Sequence, residues 1–166
     1  MQRKQGLAPV PGFNRRTSIL VLGSFPSERS LAAGEYYAHP QNKFWTILSG
    51  VCGEPCPENY HVKKAFLARH NICLWDVIGS CIREGSADQM IKDPVINPID
   101  KIIAGNPSIK AVFINGQRAG ALFRTAYPDL DKKVHVEILP STSPANAGMT
   151  VAEKSARWKA MLRFLK

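Results

Sequence analysis

The sequence predicts an α/β fold, a three-layer α/β/α sandwich around a central, mainly parallel four-stranded sheet. Three observations carry that expectation. Four short apolar runs recur along the chain, at residues 19–22, 72–75, 111–114 and 134–139, and their β-branched content favours strand over helix. Helical patterns separate the runs, which is the alternation of a parallel sheet covered on both faces. A chain of 166 residues with 45% apolar content is long enough for a single domain, spanning 1–166, with its own core.

Taken in order, the first strand, 19–22, stops at Gly23-Ser24-Phe25-Pro26-Ser27. Helices are expected over 44–51 and 62–70 before the second strand, over 98–104 before the third, and over 117–126 before the fourth. Residues 84–98, opening on Glu84-Gly85-Ser86-Ala87-Asp88, read as a surface excursion within the domain. A helix over 151–165 closes the chain, with Thr150 as N-cap and Glu153 completing a capping box. Val151, Trp158, Met161, Leu162 and Leu165 fall on one of its faces, and Lys154, Arg157, Lys159 and Arg163 on the other. Neither an internal repeat nor a low-complexity linker interrupts the pattern.

Each strand runs into a polar turn: Gly23-Ser24, Asp76 through Gly79-Ser80, Asn115-Gly116-Gln117, and Pro140-Ser141-Thr142-Ser143-Pro144. In open parallel α/β sheets ligands bind beyond the carboxyl ends of the strands, so the four turns predict one cleft.

Composition narrows the partner. Twenty-two Lys and Arg against 13 Asp and Glu leave a formal charge of +9, which favours nucleic acid. The first residues lack the apolar stretch of a signal peptide, and no apolar run approaches the roughly 20 residues that span a bilayer. A cytoplasmic monomer without membrane contact is expected. The cysteines at 52, 56, 73 and 81 lack the tight pairing of a zinc or iron–sulfur site, so they read as reduced thiols; neither a metal nor a cofactor is expected.

The segment Tyr37-Ala38-His39-Pro40-Gln41-Asn42-Lys43-Phe44-Trp45 concentrates the chemistry. Phe44 offers a ring for stacking on a base, and Asn42 offers an amide to orient water, though Asn42 also suits a helix cap and Phe44 the core. Gly23, Ser24 and Ser27 form a turn able to contact phosphate or sugar, or else an ordinary strand-to-helix turn; Gly-Lys-Ser/Thr is missing, so it is no nucleotide-binding P-loop. Ser141, Ser143 and Asn146 can likewise hold a backbone phosphate or simply cap their loop. Asp76 ends an apolar strand and can accept an N–H from a base or, protonated by burial, donate one; the alternative is a helix cap. Lys43 reads as a basic residue on a solvated helix face.

In order, Val21-Leu22-Gly23-Ser24-Phe25-Pro26, then Tyr37 to Trp45, then Leu139-Pro140-Ser141-Thr142-Ser143-Pro144-Ala145-Asn146 resemble the uracil-DNA glycosylase superfamily. With Trp75-Asp76-Val77-Ile78-Gly79-Ser80-Cys81 and Arg83-Glu84-Gly85-Ser86, the set is most similar to its hypoxanthine-DNA glycosylase branch. The resemblance implies a DNA-repair enzyme that flips a deaminated base out of duplex DNA and hydrolyses its N-glycosidic bond, leaving an abasic site. The uracil branches carry Asp or Asn where this chain has Phe25, which here contributes a ring to the base pocket. They open the last motif with His or Asn, where Ser141 stands. The resemblance therefore assigns water positioning to Asn42, stacking to Phe44 and base-edge reading to Asp76. It aligns the wedge that fills the flipped base's gap with Ala145, and Met149 is a second candidate. A uracil or mismatch glycosylase is the nearest alternative, to which a carboxylate facing the acceptor O4 is poorly suited. A non-catalytic DNA-binding module is the alternative of another class.

Overall fold

A computed structural model describes residues 1–165. The elements run β1 (Lys4–Gln5), β2 (Ile19–Gly23), α1 (Glu28–Ala33), α2 (Phe44–Val51), α3 (Tyr60–Arg69), β3 (Ile72–Asp76) and β4 (Ile78–Ile82). They continue with β5 (Lys92–Ile96), α4 (Ile99–Gly105), β6 (Ala111–Asn115), α5 (Gln117–Ala126), β7 (His135–Leu139) and α6 (Val151–Trp158). The central sheet has the order β3-β2-β6-β7 and is parallel throughout. Side chains alternate across its strands. Ile19 and Val21 of β2 pack into a core with Phe44 and Trp45 of α2, Phe66 of α3 and Trp158 of α6. Leu20 and Leu22 pack on the opposite face with Ile99 of α4 and Phe123 of α5. The three-layer sandwich is thus the one the sequence predicts, and each strand or helix it shares with the prediction agrees to within about two residues at each end, apart from the closing helix.

Three features depart from expectation. Residues 78–96, with Lys4–Gln5, build a second, antiparallel sheet of order β1-β4-β5, although Gly79 and Ser80 read as a turn. Tertiary pairing overrides local propensity here, because β4 lies between two partners. Helix α1 was not expected either; Ser27 caps it by accepting from the Ser30 N–H at 3.1 Å, and Gly34 ends it at a φ of 68°.

The closing helix differs in phase. Thr150 and Glu153 form the expected capping box, but α6 tightens to 3₁₀ over Lys159–Phe164. A 3₁₀ turn advances each side chain further around the axis than an α-turn. Trp158 and Met161 are therefore buried while Leu162 is exposed, and Val151 is exposed in the first turn. Lys154, one turn before Trp158 and on its face, is buried rather than solvated.

Cys73 and Cys81 are buried, Cys52 half-buried and Cys56 exposed, each a free thiol. Among the described residues no helix is long and apolar enough to cross a membrane.

Candidate active site

Parallel register brings the ends of all four central strands to one edge of the sheet. Gly23 stands opposite Asp76, and Asn115 opposite Leu139. Asn115 then locks the loop that follows β7: its Nδ2 donates to Thr142 Oγ1 at 2.9 Å, and its Oδ1 accepts the Thr142 N–H at 3.0 Å. The Lys43 N–H donates to the Thr142 carbonyl at 3.2 Å. One buried threonine thus ties the 37–45 segment to the 140–146 loop. The shallow depression at the other end of the sheet, beside Lys110 and His135, lies away from these polar turns.

Asp76 is the most unusual group at this edge. It is 4% exposed, and its Oδ2 is buried without a hydrogen-bond partner. Burial, then the nearby Asp88 charge, push its carboxyl up to about 7, against the pull of the Arg83 guanidinium and the Gly23 backbone. A Cβ on Gly23 would stand 2.6 Å from Asp76 Oδ1. Glycine is what lets the carboxyl lie flat against the first strand.

Above it lies Tyr37, a residue to which sequence reasoning gave no role. Its ring stacks on Phe44 with centroids 3.9 Å apart and planes at 19°. Its hydroxyl comes within 3.2 Å of the place a Gly23 Cβ would occupy. Burial and the Asp76 charge raise its pKa, with the Asn115 amide opposing. Tyr37 holds a φ of 55°, rare for a bulky side chain and tolerated where surrounding structure imposes it. Phe44, by contrast, has no exposed surface and is also wedged edge-on between Trp45 and Trp158. Phe44 is therefore sealed beneath Tyr37, and of the two stacked rings Tyr37 alone keeps exposed surface. The signal was in the sequence as a second ring seven residues upstream, but only the chain reversal at 37–43 brings the two together.

Asn42 is half-buried at the start of α2, and its Oδ1 accepts the Phe44 N–H at 3.0 Å. This bond fixes which end of the amide is oxygen, and one lone pair on Oδ1 is left for a water. Lys43 is the N-cap of α2, so Asn42 precedes the cap position; its bond to the first helical N–H and water positioning are compatible in one residue. Lys43 is exposed, as expected of a solvated face.

The turn at 23–27 is not the phosphate cradle expected. Gly23 is buried in the sheet against Asp76, and Ser24 Oγ donates to Asp88 Oδ2 at 2.6 Å. Ser27 Oγ is engaged as the α1 cap. The Asp88 carboxylate takes the Ser24 hydroxyl, so a phosphate there would meet like charge. Phe25 also corrects its assignment: its ring is 6% exposed and packs with Ile78 and Cys81. Arg83 lies over it, with Cζ 5.0 Å from the ring centroid. Arg83 is itself buried, donating to the Pro26 and Gly85 carbonyls, and its Nη1 has no partner. Asp88 was missed because it belongs to the stretch that read as a surface excursion, and Arg83, just before it, was given no role of its own.

The 140–149 loop keeps its candidates near the surface. Ser141 Oγ accepts the Ser143 N–H at 3.2 Å, and Ser143 Oγ accepts the Ala145 N–H at 3.2 Å. Asn146 Nδ2 donates to the Ser141 carbonyl at 3.2 Å. Ala145 is exposed and Met149 half-buried.

Comparison with known proteins gives the family of the chain that carries this edge. The model of the uracil DNA glycosylase superfamily matches residues 10–166. The chain belongs to that superfamily. It is 36% identical over 164 residues to a protein of Methanosarcina barkeri named hypoxanthine DNA glycosylase, covering 97% of this chain and 99% of the relative. A Methanosarcina acetivorans protein of the same name is 34% identical over 163 residues, covering 96% and 98%. A solution NMR structure of a Methanosarcina acetivorans protein, described as a uracil DNA glycosylase, superposes with a TM-score of 0.80 at 30% identity, covering 97% of this chain and 99% of that one.

Proposed function

We propose that this superfamily member is a monofunctional DNA glycosylase that removes hypoxanthine from deoxyinosine in duplex DNA and leaves an abasic site. The observation that carries the reading is the buried, unpartnered Asp76 carboxyl beneath Tyr37, at the carboxyl end of the sheet. Near full-length similarity to two proteins named for hypoxanthine supports the choice of base. Flipping the nucleotide costs a few kcal/mol, least where the base is mispaired. The net positive charge offsets part of that through phosphate contacts. The flipped base stacks against Tyr37, itself backed by Phe44. Its edge meets Asp76, which relieves the orphaned oxygen. As the C1′–N9 bond breaks, positive charge develops at the sugar, and a water oriented by the Asn42 Oδ1 adds to C1′. Ser141, Ser143 and Asn146 contact the backbone beside the lesion. Met149, rather than the one-carbon side chain of Ala145, has the bulk to hold the gap in the stack.

Duplexes carrying one deoxyinosine or one deoxyuridine, incubated with the protein and then treated with alkali, test this. Strand cleavage at inosine is expected. Cleavage at uracil alone would make the chain a uracil glycosylase. Tight binding with cleavage of neither would leave a DNA-binding module.

A further inference from the structure

Asp76 is placed to do more than read an edge. Its Oδ2 is buried at the carboxyl edge of the sheet without a partner, while Oδ1 lies against Gly23. The charged and titratable groups facing it are Asp88 from the excursion, Arg83 from just beyond β4, Tyr37 from the segment above, and the buried Tyr36 beside it. None of them hydrogen-bonds Oδ2, so a proton held there has no acceptor within the protein. The edge itself argues for a purine. Hypoxanthine's N1–H and O6 present the same donor–acceptor pair as uracil's N3–H and O4, so a carboxyl cannot separate the two bases by that pair. N7, an acceptor on the other side of O6, exists only in the purine.

We propose that Asp76 is the general acid of the reaction, transferring its proton to N7 of the flipped hypoxanthine as the C1′–N9 bond breaks. This rests on the reading of the chain as an inosine glycosylase. The C1′–N9 electron pair passes into the imidazole ring, which leaves neutral because N7 has gained the proton. Water adds to C1′ and releases a proton to solvent, and Asp76 regains one from solvent, so each turnover consumes one water and no other reagent. Uracil needs no such help, since its departing N1 anion is spread over two carbonyls. Positioned proton transfer of this kind contributes about 10²–10⁴-fold. The raised affinity of the buried carboxyl for its proton keeps the acid form present near neutrality.

The test is single-turnover excision of deoxyinosine between pH 5.5 and 8.5, by the natural protein and by Asp76→Asn. The natural protein is expected to slow about tenfold per pH unit above the carboxyl's titration, as a single essential acid requires. Asp76→Asn, which can donate a hydrogen bond but not release a proton, is expected to be about 100-fold slower at pH 6 and flat with pH. A duplex carrying 7-deaza-2′-deoxyinosine keeps O6 and N1–H and lacks N7. It should compete for binding as well as inosine does, resist excision, and be cut no more slowly by Asp76→Asn than by the natural protein. Should the variant fail to fold, the 7-deaza duplex still decides with the natural protein alone. A flat profile in the natural protein, or ready excision of 7-deazainosine, overturns the acid role and leaves the inosine reading standing. A natural protein inert on inosine at every pH sinks both.

Discussion

The pocket around Asp76 and the loop over residues 140–149 close the same edge of the sheet and are held in different ways. In the pocket, Asp76 is buried with an unpartnered oxygen, Tyr37 holds a left-handed backbone, and Gly23 leaves no room for a methyl group. In the loop, serine hydroxyls accept neighbouring N–H groups, the side chains apart from Pro140 and Thr142 lie near the surface, and a Cβ on Gly148 would meet open space. Such polar burial and backbone strain are tolerated where structure over-determines them and cluster at functional sites. On the proposed function, the pocket does chemistry on one base and the loop makes adaptable contact with a sugar–phosphate backbone.

Asn42 stands where the two regions join, so its loss is expected to have the largest effect. Asn42→Ala should slow inosine excision by about 10²–10⁴-fold, in the range of a positioned side chain that activates the reacting groups. It should also lower stability by about 1 kcal/mol through the lost hydrogen bond to Phe44 N–H. Asn42→Asp keeps the acceptor and that bond, and should recover more activity than stability loss alone would explain. Rates and urea midpoints measured on both variants separate the two roles, and an Asn42→Ala enzyme at full rate would remove Asn42 from the mechanism.

The next effect is on stability, and it is confined to the pocket. The folded Asp76 carboxyl keeps its proton up to about pH 7, whereas an ordinary one releases it near 3.8. Between those values the native state binds more protons than the unfolded chain. The contribution of Asp76 to stability therefore falls as pH rises through that window and stays constant above it, with a total on the order of 4 kcal/mol. Asp76→Asn removes the dependence. Its urea midpoint should gain on that of the natural protein from pH 4 to 7 and hold the gain at pH 8. A difference that does not vary with pH would mean that the carboxyl titrates normally and the pocket is not strained by its charge.

How far each region was legible from sequence follows from the same contrast. The four central strands and α2 to α6 announce themselves through local apolar periodicity and β-branched runs. The cleft followed from Gly23, Asp76, Asn115 and the serines at the strand ends. Roles that depend on contacts distant in sequence were not legible. Phe44 carries the familiar motif but is sealed beneath Tyr37. Ser24 looks ready for phosphate until Asp88, 64 residues away, takes its hydroxyl. Lys154 reads as surface charge until the α6 register turns it inward. Asp88 and Arg83 were obscured because β4 has no apolar pattern of its own and is a strand only through β1 and β5.

A pair of glycines sharpens the contrast at smaller magnitude. Gly23→Ala drives a methyl into Asp76 Oδ1 and towards the Tyr37 hydroxyl, and overpacking of this kind costs about 1–3 kcal/mol. Gly148→Ala meets no atom within 4 Å and should fall within about 0.5 kcal/mol of the natural protein. Thermal or urea unfolding of the two variants measures the difference directly. Equal stabilities would show that the pocket yields as readily as the loop, and its tight geometry would then be no guide to function.

The smallest effect belongs to the loop hydroxyls. Ser143 Oγ accepts the Ala145 N–H, which leaves the hydroxyl proton free to donate to a phosphate oxygen. Ser143→Ala removes one such donor and one local acceptor, together about 1 kcal/mol. Contacts to phosphate position the duplex without reading sequence or damage. Binding should therefore weaken by a similar factor, about three- to tenfold, for a duplex with inosine and for the undamaged duplex, while the single-turnover rate at saturating protein stays close to that of the natural enzyme. A loss confined to the inosine duplex would place Ser143 in the base pocket instead, and the division between a pocket that does chemistry and a loop that grips the backbone would fail at that residue.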